Sequence, residues 1–134
     1  MIYLDTGCLL KLYYPEPESG SVAAAVAGEV IVFTPLHELE TVTAMQLEVF
    51  RGEARHEQAL AATALVTEDL AVGKLVGEVQ DWPAAFREVS LLAQAHAAKI
   101  GCRSLDILHC ALAKNCRRRC SFRPTRGRLR WRVR

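Results

Sequence analysis

Two stretches near the start of the chain are apolar without a break: Ile2-Tyr3-Leu4 and, further on, Val30-Ile31-Val32-Phe33. A half-exposed strand alternates apolar and polar residues, whereas a strand covered on both faces reads as a continuous apolar run. Both runs are too short for helices, and each is followed by a segment with helical character. Buried strands alternating with helices predict an α/β fold whose parallel sheet is covered on both faces.

The helical segments have readable ends. The run from Cys8 to Tyr14 is stopped by Pro15 and Pro17, and the Ala-rich residues 18–27 suit a second helix that Gly28 ends. Thr34 can cap and Pro35 is tolerated in a first turn, so residues 36–50 are expected to be helical until Gly52 interrupts them. Residues 54–71 and 82–100 carry apolar side chains at helical spacing, with Leu75-Val76 as a short extended piece between them. Residues 104–114 are apolar nearly all round, which predicts a buried helix with Ser104 as its cap.

A chain of 134 residues fits one domain, and 51% hydrophobic with 24% charged residues is the composition of a soluble globular protein. No apolar run approaches the roughly 18 residues of a membrane helix, and the start lacks a signal-peptide layout, so no membrane partner and a cytoplasmic location are expected. Five scattered cysteines, an odd number, read as reduced thiols. Cys116 and Cys120, four apart with His109 near, are too loosely spaced for a zinc site to be the expectation.

The net charge of +2 hides a break. Residues 1–114 hold eight Lys and Arg against fifteen Asp and Glu, a balance of −7, while residues 115–134 hold nine arginines and no acid. The chain therefore divides into a domain over 1–114 and an Arg-rich tail over 115–134. In the tail, Leu129, Trp131 and Val133 alternate with arginines, the pattern of an added edge strand if the tail is ordered at all. Arg128 and Arg130 are candidate phosphate contacts and Trp131 a candidate base-stacking residue, against the plainer reading of a passive tail.

Three carboxylates sit where apolar segments end or begin. Asp5 closes the first run, Glu40 lies early in the helix after the second, and Asp106 falls in the first turn of the buried helix. An ionised carboxylate in such surroundings is costly unless hydrogen bonds or a cation compensate it. Ligand sites in parallel sheets gather at the carboxyl ends of strands, so the three can meet at one edge. A hard divalent ion takes oxygen ligands and activates water, and a metal-dependent hydrolase is the chemistry expected of such a set. His109 shares a helix face with Asp106 and reads first as a satisfied, partly buried histidine. His37, His56 and His96 belong to no visible constellation, and Trp82 and Phe86 read as core or dimer contacts.

Taken in order, Ile2-Tyr3-Leu4-Asp5-Thr6, the Pro-started helix with Glu40 and Ala44, and Leu105-Asp106-Ile107-Leu108-His109-Cys110-Ala111-Leu112-Ala113 resemble a PIN-domain ribonuclease of the VapC toxin type. The resemblance spans residues 1 to about 114. It implies a three-layer α/β/α sandwich, an Mg²⁺- or Mn²⁺-dependent endoribonuclease acting on tRNA or ribosomal RNA, and a homodimer held inactive by a VapB-type antitoxin. Asp5, Glu40 and Asp106 match the family's catalytic metal ligands, with Thr6 and His109 as accessory candidates; the spacing to Ala44 favours Glu40 over its neighbour Glu38.

Two departures accompany the resemblance. Gly7 stands where the family usually has Ser or Asn, and residues 115–134 contain no counterpart of the family's later Thr-x-Asp strand with its fourth acid. The tail has the composition of a GC-rich gene read out of frame, so the last strand and helix are expected to be missing or altered. The alternative is a catalytically impaired relative that only dimerises and binds an antitoxin or RNA.

Overall fold

The computed structural model describes residues 1–116. The order of elements is α1 (Thr6–Leu10), α2 (Ser19–Val26), β1 (Ile31–Phe33), α3 (Pro35–Arg51), α4 (His56–Ala71), β2 (Leu75–Gly77), α5 (Trp82–Leu92), a π-helical turn (Ala93–Ala97), α6 (Ala98–Ile100) and α7 (Ser104–Asn115). The fold is mixed α/β, as the alternation of strands and helices predicts, and it is mostly helical.

β1 and β2 pair in parallel, with Ile31 opposite Leu75, Val32 opposite Val76 and Phe33 opposite Gly77. On the other side of β1, Ile2 forms a single parallel bridge to Ile31, through Ile2 N–H to Val30 O and Val32 N–H to Ile2 O, both 2.9 Å. β1 is thus flanked on both sides. The expected first strand is shorter than its apolar run, for two reasons. Asp5 already caps α1, and the Leu4 carbonyl accepts from the His37 ring at 2.8 Å.

Helix boundaries follow the local chemistry. At α3, Thr34 caps and Pro35 opens the first turn, and Gly52 ends the helix in the left-handed region at φ 73°, where a side chain would be strained. At α7 the cap is Arg103 and not Ser104, because Asp106 three residues on reaches back to accept the Arg103 N–H at 3.1 Å. The expected helix over 82–100 is continuous in position but passes through the π-turn, which inserts an extra residue into its winding.

Alternate strand residues go to different parts of the core, as the period of two requires. Ile2, Leu4, Ile31, Phe33 and Leu75 pack with Leu9, Met45, Ala59, Ala62 and Val66, which come from α1, α3 and α4. Tyr3 and Val32 pack instead with Leu36, Ala85, Leu108, Leu112 and Cys116, mainly from α5 and α7, with Trp82 against them. Leu9, Leu75 and Leu112 are essentially fully buried, each contributing roughly 1.5–3 kcal/mol. Among the described residues no helix is long and apolar enough to cross a membrane.

Candidate active site

Glu40 stands in the second turn of α3, and its carboxylate is the hub of the site. Thr6, the first residue of α1, donates its hydroxyl to Glu40 Oε2 at 2.6 Å. His109 on α7 brings Nε2 to the same oxygen at 2.6 Å and lies 3.2 Å from the Thr6 hydroxyl. Its other nitrogen, Nδ1, is 2.8 Å from the Tyr3 hydroxyl. Four residues from three helices and the N-terminal segment therefore form one chain of hydrogen bonds, and the Thr6 and His109 side chains are buried.

The partners fix the protons. Nε2 of His109 faces a carboxylate, which can only accept, and so carries a hydrogen toward Glu40. Burial, followed by the nearby Cys116, Glu40 and Asp5, raises the Tyr3 pKa well above its ordinary value, and the phenol keeps its proton. Burial alone would raise Glu40, but the hydrogen bonds from His109 and Thr6 outweigh it and hold the carboxyl below its usual range. The hub is an anion.

His37 supports this chain from beneath. Its Nδ1 accepts from the Thr34 N–H at 3.0 Å, which leaves Nε2 to donate to Leu4 O at 2.8 Å. Its ring is stacked on Phe33, tilted against Tyr3 at 4.9 Å between centroids and against His109 at 5.2 Å. It has no exposed surface, and burial, with the neighbouring His109 acting in the same sense, pushes its pKa down to about 4 despite the acceptor at Leu4. The expectation that His37 belongs to no constellation is corrected here. The local signal was its place three residues after a capping threonine, where Glu or Gln usually reciprocates. Tyr3 was also missed, as one hydroxyl within an apolar run.

The other two carboxylates stand at the starts of α1 and α7. Asp5 caps α1, accepting the Cys8 N–H at 2.7 Å, so the backbone-acceptor role weighed for it is present. Its charge is felt at Tyr3, at Cys110 and at Cys8, whose thiol is pushed up to about 12 by burial and then by Asp5. Asp106 sits at the start of α7, and the Cys110 thiol, raised to about 11 by burial first, also feels Cys102, Asp106 and Asp5. Glu40 and Asp5 thus converge electrostatically on Tyr3, and Asp5 and Asp106 on Cys110. A β-carbon added at Gly7 would lie 3.9 Å from Asp5 Oδ1. Glu38 is exposed, as the preference for Glu40 requires.

All three candidates are carboxylates, and Glu40 is held ionised. Glu40 Oε1 and Asp106 Oδ1 carry no hydrogen bond among the described residues, while Oε2 and Oδ2 are engaged with the protein. Among the described residues no three His, Cys, Asp or Glu side chains are grouped so that they could hold a metal ion. Cys116 is buried and receives Gln80 Nε2 at 3.5 Å. Cys120, Arg128, Arg130 and Trp131 lie outside the described residues. Compared with known proteins, the chain matches no family model and no curated protein.

Proposed function

We propose that the chain is a divalent-metal-dependent endoribonuclease of the VapC toxin type, the toxin component of a toxin–antitoxin pair, which cleaves tRNA or ribosomal RNA. The observation that carries this reading is Glu40, a half-buried carboxylate kept anionic by Thr6 and His109 on the helix that follows the central strand β1. Asp5 acts electrostatically on both Tyr3 and Cys110, and Asp106 acts on Cys110. These three are the residues that would hold Mg²⁺ or Mn²⁺, and a bound ion would polarise a phosphate and lower the pKa of water. Thr6 and His109 orient the Glu40 carboxylate, and the Tyr3 hydroxyl, 2.8 Å from Nδ1, holds the imidazole in place.

The finer fold that goes with this reading is a three-layer α/β/α sandwich. It is supported by the division of alternate strand residues between a cluster with α1, α3 and α4 and a cluster with α5 and α7. The partners are the RNA substrate, a second copy of the chain and a VapB-type antitoxin.

The test is incubation of end-labelled tRNA and ribosomal RNA with the purified protein and Mg²⁺ or Mn²⁺, beside EDTA and Asp5→Asn controls. Discrete fragments that vanish in both controls are expected. A folded protein that leaves every RNA intact but retains it would replace this reading with the binding-only one.

A further inference from the structure

A cavity of about 300 Å³ opens between α3 and α4 at the carboxyl ends of β1 and β2, the end at which parallel sheets hold their ligands. Phe33, Thr41 and Val66 are buried beneath it, while Glu38, Val42 and Leu70 stand exposed at its rim. At about 100° per residue, Glu38, Thr41 and Val42 share one face of α3, and Glu40 projects roughly 100° or more away from each of them. The cavity is therefore separate from the Glu40 hub.

Two polar groups at this cavity are unmatched. Thr63 and Thr67, on the α4 wall, close their hydroxyls on the carbonyls of Ala59 and Thr63 at 3.0 and 3.1 Å. Thr41 does not do the same: its Oγ1 is buried and has no hydrogen-bond partner among the described residues. A threonine in a helix has two open χ1 wells, so its hydroxyl and methyl can exchange places without movement of the backbone. Glu38, three residues earlier, has no ion pair or side-chain hydrogen bond among the described residues. Residues three apart are neighbours on a helix surface, at about 5–6 Å between β-carbons, so one ligand group can reach both.

We propose that this cavity binds a small apolar molecule carrying a single ammonium group. Phe33, Val66 and Leu70 cover the hydrocarbon part. The ammonium lies between the Glu38 carboxylate, which supplies the opposite charge, and the Thr41 hydroxyl, which accepts one N–H. Among the described residues that line the cavity there is no Lys or Arg to favour an acid instead. At about 30 Å³ of liquid volume per unit the size of a water molecule, the space holds roughly ten non-hydrogen atoms, which is the size of phenethylamine.

Titration of the isotope-labelled full chain, followed by amide chemical shifts, tests this with three probes of one shape: phenethylamine, phenethyl alcohol and phenylacetate. Phenethylamine is expected to bind most tightly, with saturable shifts centred on the amides of Thr41, Val66 and Gly77, and phenylacetate to give none. Glu38→Gln should weaken the amine and leave the alcohol unchanged, whereas Thr41→Val should weaken both. Each loss is expected to be roughly 3- to 10-fold, the worth of one hydrogen bond. Glu57→Gln, on the exposed start of α4, should change nothing. An amine that binds no more tightly than phenylacetate overturns the proposal, as do shifts that spread over the acidic surface without saturating or that survive in both cavity variants. Spectra recorded before any probe is added check that each variant folds; Glu38→Gln, at an exposed position, removes only a charge. The measurement uses neither RNA nor a metal ion, so its outcome is independent of the proposed nuclease activity.

Discussion

Thr6 and Thr41 are both buried threonines, and their hydroxyls meet opposite fates. The Thr6 hydroxyl donates to Glu40, while the Thr41 Oγ1 finds no hydrogen-bond partner among the described residues. It lines a cavity of about 300 Å³ between α3 and α4, together with Phe33, Val66, Leu70 and Gly77. A buried hydroxyl without a partner costs about 1–3 kcal/mol. Thr41→Val is therefore expected to stabilise the protein by about 1 kcal/mol, read as a higher urea midpoint with an unchanged slope. A lower midpoint would mean that this hydroxyl is satisfied after all. No pattern in the sequence separates the two threonines. Thr6 gains its meaning from a histidine 103 positions away, a separation that no local rule spans.

At the scale of elements, the start of α3 joins secondary structure to the site. Thr34 accepts the His37 N–H, and the same His37 takes the Thr34 N–H on its ring and ties down Leu4. Thr34→Ala removes an N-cap and a neighbour of the His37 ring together, and a loss at the upper end of the capping range, about 2 kcal/mol, is expected in equilibrium unfolding. A loss below about 0.5 kcal/mol would show that the ring alone holds this turn. The Thr-Pro start, the Gly52 stop, the continuous apolar run of β1 and the short β2 were legible because each depends on neighbouring residues. The cap of α7 was not, since Asp106 reaching back to Arg103 competes with Ser104 for the same role. Nor was the π-turn in Ala93–Ala97, which holds neither Pro nor Gly. The first strand shrank to one bridge because a side chain from α3 claims the carbonyl that would extend it.

For the whole molecule, the burial of His37 makes acid the expected stress. His37 has a folded pKa of about 4 against an unfolded 6.5. Between these values the unfolded chain binds a proton that the folded chain refuses, so stability is complete above pH 6.5 and falls as the pH drops toward 4. The difference of about 2.5 pH units corresponds to about 3 kcal/mol. Glu40 acts in the same sense further down, since its depressed pKa contributes stability that is lost as the pH falls through the folded value. Urea unfolding from pH 7.5 to 4.5 should show a midpoint that declines steadily below 6.5; a flat profile would mean that His37 charges freely within the fold. Of the proposed site, Asp5, Glu40 and Asp106 were singled out by their places at the ends of apolar segments. The Tyr3–His109–Glu40 chain was not, because its links are tertiary contacts.

Those links also set an order in time. Glu40 and His109 are 69 positions apart along the chain. During translation at about 5–20 residues per second, α3 exists for about 3–14 s before the helix that steadies its acid has been made. A nascent chain therefore carries the acid before it carries the clamp, and a ribosome making this protein holds, for those seconds, only an unassembled centre.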